Sequence, residues 1–327
     1  MLRVILTRLA TAVPLLFVLS VLVFLMVYAV PGSVAEAMLQ DGATPEAVAE
    51  LEEQLGLRDP LPVQYFRWLG NALRGNFGDS YFYGKSVTSL YASSLPITMT
   101  IAFGGLLIGA ILGISLGVIA GLQPGSLTDR VSTILASLGV ALPAFWIGMI
   151  LVIYFGGLQP IFGTKLDWFP VTGWTPLYSE KDGWNVLGWL NNIFLPCLAL
   201  GIPSSALIAR QMRSSMANVL QTSYIRAQRA MGLSRWQIVS RHALKNAMIP
   251  VITVIGFRAA VAIGSAIVVE QVFGITRGAG NLLISSTITG DFPMVQGGVM
   301  IIALLIVIFN LLIDISYAWL NPKVRIS

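Results

Sequence analysis

The sequence is poor in the residues that carry chemistry. Among 327 residues there is one cysteine, Cys197, and one histidine, His242, and only 11% are Asp, Glu, Lys or Arg. A single cysteine excludes an intrachain disulfide, and its apolar neighbourhood points to no thiol chemistry. A single histidine with no Cys/His cluster argues against a protein-built transition-metal site. Acidic residues are missing where basic ones are densest. From Arg210 to Pro250 there are six arginines and one lysine, and no Asp or Glu.

What is abundant is apolar. The chain is 56% hydrophobic with a mean hydropathy of +0.79, too apolar for a soluble domain and in the range of multi-pass membrane proteins. The net charge of +5 comes mostly from segments between apolar runs, so it speaks to membrane topology before nucleic acid.

Taken in order, Arg3 and Arg8 precede an apolar run from Leu9 to Val30, long enough to cross a hydrocarbon core of about 30 Å. It lacks the short core and small-residue cleavage site of a signal peptide, and reads as a retained first span. From Pro31 to Pro96 the character changes to eight acids and four bases. There Thr44-Pro45-Glu46 predicts a helix start, with proline at the first helical position and acids in the first turns. This stretch reads as a small water-exposed subdomain. Within it Gly84-Lys85-Ser86 imitates the end of a phosphate-binding loop, but the required first glycine is replaced by Asp79, so no nucleotide site is expected in this chain.

A second span is expected over about Ile97 to Leu122. Its glycines 105, 109, 113, 117 and 121 recur every four residues, a row that lies on one helix face and permits close backbone approach. A third runs from about Val131 to Phe155, with a kink expected at Pro143. Gln159 to Asn192 reads as an exposed loop with Trp168, Trp174, Trp184 and Trp189 as anchors at the membrane boundary. A short fourth span, about Ile193 to Ala209, contains Pro196 and Pro203. A fifth covers about Met248 to Val269, with Arg258 near its middle, where a cation is costly unless paired or facing water. Glu270 to Pro293 reads as a third exposed loop, and Met294 to Leu320 as the last span. Six spans place both ends on one side. Twelve Lys and Arg flank the spans on that side, against Lys165, Lys181 and Arg277 on the other, which makes the termini cytoplasmic by the positive-inside rule.

The basic segment has local structure of its own. Tyr224 to Met231 predicts a helix, Gly232 can take the left-handed conformation that ends it, and Ser234 with Gln237 forms a capping box for a second. Ile238, Ala243 and Leu244 then share one side of that second helix, away from Arg235, Arg241 and Lys245. His242, inside this segment, reads as structural.

Tyr224-Ile225-Arg226-Ala227-Gln228-Arg229-Ala230-Met231-Gly232-Leu233, followed by Arg241-His242-Ala243-Leu244-Lys245-Asn246-Ala247, resembles the EAA loop of bacterial ABC importer permeases, in the variant of the dipeptide, oligopeptide and nickel group. The general pattern begins Glu-Ala-Ala, and here those places hold Arg226, Ala227 and Gln228. Its closing proline is replaced by Lys245. Leu55-Gly56-Leu57, Asp59-Pro60-Leu61, Gly75-Asn76-Phe77-Gly78-Asp79-Ser80 and the stretch from Glu270 to Asn281 are similar to the same group, as are the Pro31-Gly32 pair and the Asn321 to Arg325 tail.

The resemblance implies an all-α polytopic membrane protein with the six transmembrane helices of the type I ABC importer fold. Residues 1–30 would form the tail and first span, 31–96 an extracytoplasmic subdomain, and 97–327 the permease core, with the coupling loop at 210–247. It further implies a non-enzymatic subunit that moves di- or oligopeptides inward across the bacterial plasma membrane by alternating access. Its partners would be a second homologous permease subunit, two ATP-binding subunits that hold ATP and Mg, and an extracytoplasmic solute-binding protein. The coupling residues would be Tyr224, Ile225, Arg226, Ala227, Arg229, Ala230, Gly232, Leu233, Arg241 and His242, and Arg258 would belong to the substrate path. The same motifs occur in nickel and glutathione importers. An ion-coupled carrier acting alone would need acids inside the spans, and only Asp314 and Glu270, near helix ends, approach that. A non-transporting scaffold leaves the glycine row, the capped helix pair and Arg258 without a joint purpose.

Overall fold

The computed structural model describes residues 2–29, 34–39, 44–54, 56–161, 164–181 and 183–320. The Pro31-Gly32 pair and the Asn321 to Arg325 tail lie outside these residues.

In chain order the elements are α1 (Leu2–Met26), α2 (Val34–Leu39), α3 (Pro45–Gln54), α4 (Leu61–Ala72), α5 (Val87–Leu122), α6 (Leu127–Ala141) and α7 (Ala144–Phe155). Two minute antiparallel ribbons follow, β1 (Gly156–Ile161) with β2 (Thr164–Asp167) and β3 (Tyr178–Ser179) with β4 (Gly183–Trp184). Then come α8 (Val186–Leu220), α9 (Ser223–Ala230), α10 (Arg235–Gln237), a π-helical turn Ile238–Ala243, α11 (Leu244–Val272), α12 (Ala279–Thr289) and α13 (Phe292–Leu320). The expected all-α class holds, with the ribbons as its only strands among the described residues. Four helices are long and apolar enough to cross a membrane, a fifth span is available if α6 and α7 count together, and Ala10–Met26 of α1 is a shorter apolar helix.

The described residues divide into two compact units, one within 2–96 and 277–311, the other within 97–276 and 312–320. In the first unit, α3 begins at Pro45 as expected, with the Ala47 amide donating to Thr44 Oγ1 at 3.3 Å. An aromatic group of Phe24, Tyr65 and Trp68 joins α1 to α4, and Ser20 Oγ meets the Tyr65 hydroxyl at 2.8 Å. The segment from Glu270 to Pro293, expected to be an exposed loop, instead contains α12 and two fully buried acids, Glu270 and Asp291. Asp291 is satisfied within its unit: Ser80 Oγ donates to it at 2.5 Å and the Met294 amide at 3.5 Å. Burial of a carboxylate is tolerated because donors surround it.

The second unit is organised by the glycine row. A Cβ added at Gly105, Gly109, Gly113, Gly117 or Gly121 would lie 2.5 to 2.8 Å from the Cβ of Leu200, Ser204, Ile208, Met212 and Met216 respectively. The partners advance in the same steps of four, so α5 and α8 run parallel in one register along five turns. This is backbone-to-backbone contact of the small-residue kind, which gains dispersion where lipid offers no hydrophobic drive. The seam also explains why α8 is not the short span expected. Met212 and Met216 continue its buried face beyond Ala209, so the helix runs on to Leu220 with its arginines on other sides. Pro196 and Pro203 sit inside it without ending it, as bundled transmembrane helices allow.

On α8 also rest α6, antiparallel through Gly139 against Ala206, and α11 through the shared core described below. Pro143 does more than kink the third span. It caps α7 after a break, and α6 and α7 meet at 101°. The proline amide lacks the hydrogen to continue α6, and Leu142, preceding it, is extended at φ −92°, ψ 126°, as residues before proline tend to be.

Replacing Gly113 with valine should therefore lower the thermal stability of the purified protein by the equivalent of about 1–3 kcal/mol, the usual cost of overpacking. Gly70, inside α4 with open space around its Cα, is the contrast: Gly70→Ala should be neutral or stabilising by roughly 0.5–1 kcal/mol. Melting curves in one detergent compare the two, and equal behaviour would contradict the seam.

Candidate functional site

The basic segment folds as an elbow between α8 and α11. Only Gln221, Thr222 and Met231 to Ser234 depart from helical geometry between Val186 and Val272. The local expectations are met. α9 ends at Ala230 with Met231 as its C-cap, Gly232 takes φ +83°, and Ser234 and Gln237 form both halves of the capping box. The second helix is not short, since α10, the π turn and α11 continue as one helix from Arg235 to Val272. The π turn widens the helix where the polar elbow meets the apolar span, and such turns frequently mark functional joints.

A single buried core locks this elbow to its two helices. Ile208, Met212 and Met216 of α8, Ile225 of α9, Ile238, Val239 and Ala243 of the π turn, and Ala247 and Val251 of α11 pack together. The segment proposed to touch a partner is thus apolar inside and basic outside. Arg226, Ala227, Arg229, Ala230, Gly232 and Arg241 are exposed, Ile225 is fully buried, and Leu233 is half-buried against the core. Tyr224 and His242 meet edge to face with ring centroids 6.4 Å apart. Among the described residues Arg226, Arg229, Arg235 and Arg241 make no ion pair; Arg235 Nη2 reaches the carbonyl oxygen of Leu122 at 3.3 Å.

A second feature stiffens the base of the elbow. The Arg213 guanidinium donates through Nε to Asp129 Oδ1, and through Nη2 to Asp129 Oδ2 at 2.7 Å. The Gly125 amide adds a bond to Oδ2 at 2.8 Å. Asp129 lies in the first turn of α6, just before its apolar run.

In α11, Arg258 Nη2 donates to Ser204 Oγ at 3.3 Å, and its Nε is buried without a partner among the described residues. The mid-span cation is therefore joined to α8 through a serine hydroxyl and keeps unspent donor capacity. No group of three or more His, Cys, Asp or Glu side chains converges among the described residues.

The family described as "Binding-protein-dependent transport system inner membrane component" matches residues 113–326, and its counterpart "Binding-prot-dependent transport system membrane comp, N-term" matches residues 1–102. The chain belongs to this family. The permease is 35% identical over 325 residues, 99% of both chains, to a protein of Brucella abortus (strain 2308) named as a peptide transport system permease protein. It is 34% identical, again over 99% of both chains, to the glutathione transport system permease protein GsiC of Salmonella paratyphi A. Among solved structures it resembles the MetNI methionine ABC transporter in inward-facing conformations, with a TM-score of 0.53 over 71% of this chain and 96% of that one, at 16% identity. That likeness establishes the fold.

Two features of the permease's elbow went unnoticed in the sequence. Met231 and Trp236 are 72% and 76% exposed, setting large apolar side chains among the arginines. The Asp129–Arg213 clamp joins residues 84 apart; its one sequence signal was that Asp129 is the sole acid between Ile97 and Phe155, in the turn before α6. A double-mutant cycle should find Asp129→Ala and Arg213→Ala each destabilising, with a coupling on the order of 1 kcal/mol between them. Additive melting shifts would remove the clamp from the account.

Proposed function

We propose that the chain is the membrane-spanning subunit of a peptide-importing ABC system, with Arg210 to Lys245 facing the cytosol. The observation that carries this reading is full-length identity of 35% to proteins named for peptide transport. The elbow supports it physically. An exposed basic face with unpaired arginines and two apolar side chains, mounted on an apolar core, is what a docking surface for another subunit requires.

In this reading the partners are a second permease subunit, two ATP-binding subunits and an extracytoplasmic solute-binding protein. ATP and Mg are held by the ATP-binding subunits, and this chain binds no nucleic acid. The termini are cytoplasmic, and residues 31–96 belong to the outer side. Closure of the nucleotide subunits pushes on Arg226, Ala227, Arg229, Ala230, Gly232 and Arg241. Ile225 and Leu233 transmit the push into the core. Because α8 and α11 leave that core as continuous helices, displacement of the elbow displaces both spans together and re-orients the central pathway. Arg258 belongs to that pathway: a guanidinium with spare donors suits a peptide carboxylate. The identity to a glutathione permease favours a second reading in which the cargo is that short peptide.

Ala227→Trp or Gly232→Val should abolish uptake of labelled peptide while leaving the amount of protein in the membrane unchanged. The first blocks the exposed face, and the second cannot hold φ +83° without strain. Normal uptake by both would refute coupling through this face. Affinity of the cognate binding protein for di- and oligopeptides against glutathione decides between the two cargoes.

A further inference from the structure

The apolar stretch of α5 ends at Leu122, that of α6 begins at Val131 and that of α8 ends at Ala209. A cavity of about 130 Å³ opens there, lined by Gly117 and Ala120 of α5, Ser132 and Ser137 of α6, and Arg210 and Arg213 of α8. That is about ten times the roughly 10–15 Å³ that one water needs, so a phosphate group fits.

The charges in this corner have unequal employment. Arg213 is committed to Asp129, the sole acid there, and together they are neutral. Arg210, three residues earlier on the same side of α8, is exposed and makes no ion pair among the described residues. Ser137 Oγ donates to the Thr133 carbonyl at 2.9 Å, whereas the Ser132 hydroxyl makes no hydrogen bond among the described residues. One free guanidinium and one free hydroxyl therefore line a cavity with no carboxylate in its wall, and the nearby Asp129 is already paired with Arg213. Along the same helix Ile134, Leu135 and Leu138 are 60%, 53% and 54% exposed, a hydrocarbon surface beside a cationic recess. Basic pockets between transmembrane helices at the bilayer boundary suit anionic headgroups.

We propose that this cavity is a binding site for the phosphodiester headgroup of an anionic phospholipid, with Arg210 as its cation, Ser132 as its hydroxyl donor and the acyl chains lying on α6. The site depends neither on the cargo nor on which end of the protein faces the cytosol.

The test uses the assembled transporter, reconstituted in phosphatidylcholine nanodiscs with a minor fraction of phosphatidylglycerol and then released for native mass spectrometry. The wild-type assembly should retain phosphatidylglycerol. Arg210→Gln should retain about fivefold less, the loss expected for one cation near a charged surface, Ser132→Ala should also retain less, and Arg210→Lys should keep most of it. Millimolar inorganic phosphate or glycerol phosphate should not displace the lipid. Equal retention by Arg210→Gln and Ser132→Ala would overturn the site, and full displacement by inorganic phosphate would overturn its assignment to lipid. Melting of each variant in pure phosphatidylcholine, expected to match wild type, separates lost binding from lost folding; if Arg210→Gln melts early, Ser132→Ala alone decides.

Discussion

The close contact of α5 with α8 is the constraint from which the working half of this protein follows. Five glycines at steps of four remove every side chain from one face of α5, so that α8 can lie against its backbone from Leu200 to Met216. The register is unforgiving because any Cβ on that face would fall within 3 Å of a neighbour. It extends α8 past the end of its apolar stretch and delivers Met212 and Met216 to the core on which the basic elbow is built. Position, length and rigidity of the elbow are consequences of a packing rule that holds in lipid.

In the proposed reading the elbow joins two physical demands that ordinarily conflict. A surface that accepts force from another subunit must be exposed and polar, yet it must not yield. Here exposure is assigned to Arg226, Ala227, Arg229 and Arg241, and resistance to Ile225, Ile238, Val239 and Ala243, which alternate with them along the same short helices. The capping box at Ser234 and the left-handed Gly232 fix the turn between them, and the Asp129–Arg213 clamp braces α8 at its base. Gln228 is the discordant member, buried with its Oε1 unpartnered among the described residues, at one of the places where the sequence departs from the general pattern of its family.

What was legible beforehand was local or periodic. The start of α3, the stop at Gly232, the cap at Ser234 and the glycine row each depend on residues within one or two turns, and each is present in the structure. What was missed depended on partners far away in sequence. The extension of α8 required knowing that Met212 and Met216 face Gly117 and Gly121. Glu270, which accepts from Thr98 Oγ1 at 2.5 Å, and Asp291, which accepts from Ser80, looked like loop acids because their donors lie 172 and 211 residues away. Proline at 143 announced an interruption but not its 101° extent.

The central claim is that the elbow and its two long helices move as one body. Spin labels on Arg226 and Thr253, both exposed, report it by pulsed electron–electron distance measurement in the assembled transporter, with and without ATP. The account predicts one narrow distance distribution, unchanged between nucleotide states even as transport proceeds. A distribution that shifts or splits on ATP binding would make the elbow a hinge and contradict it.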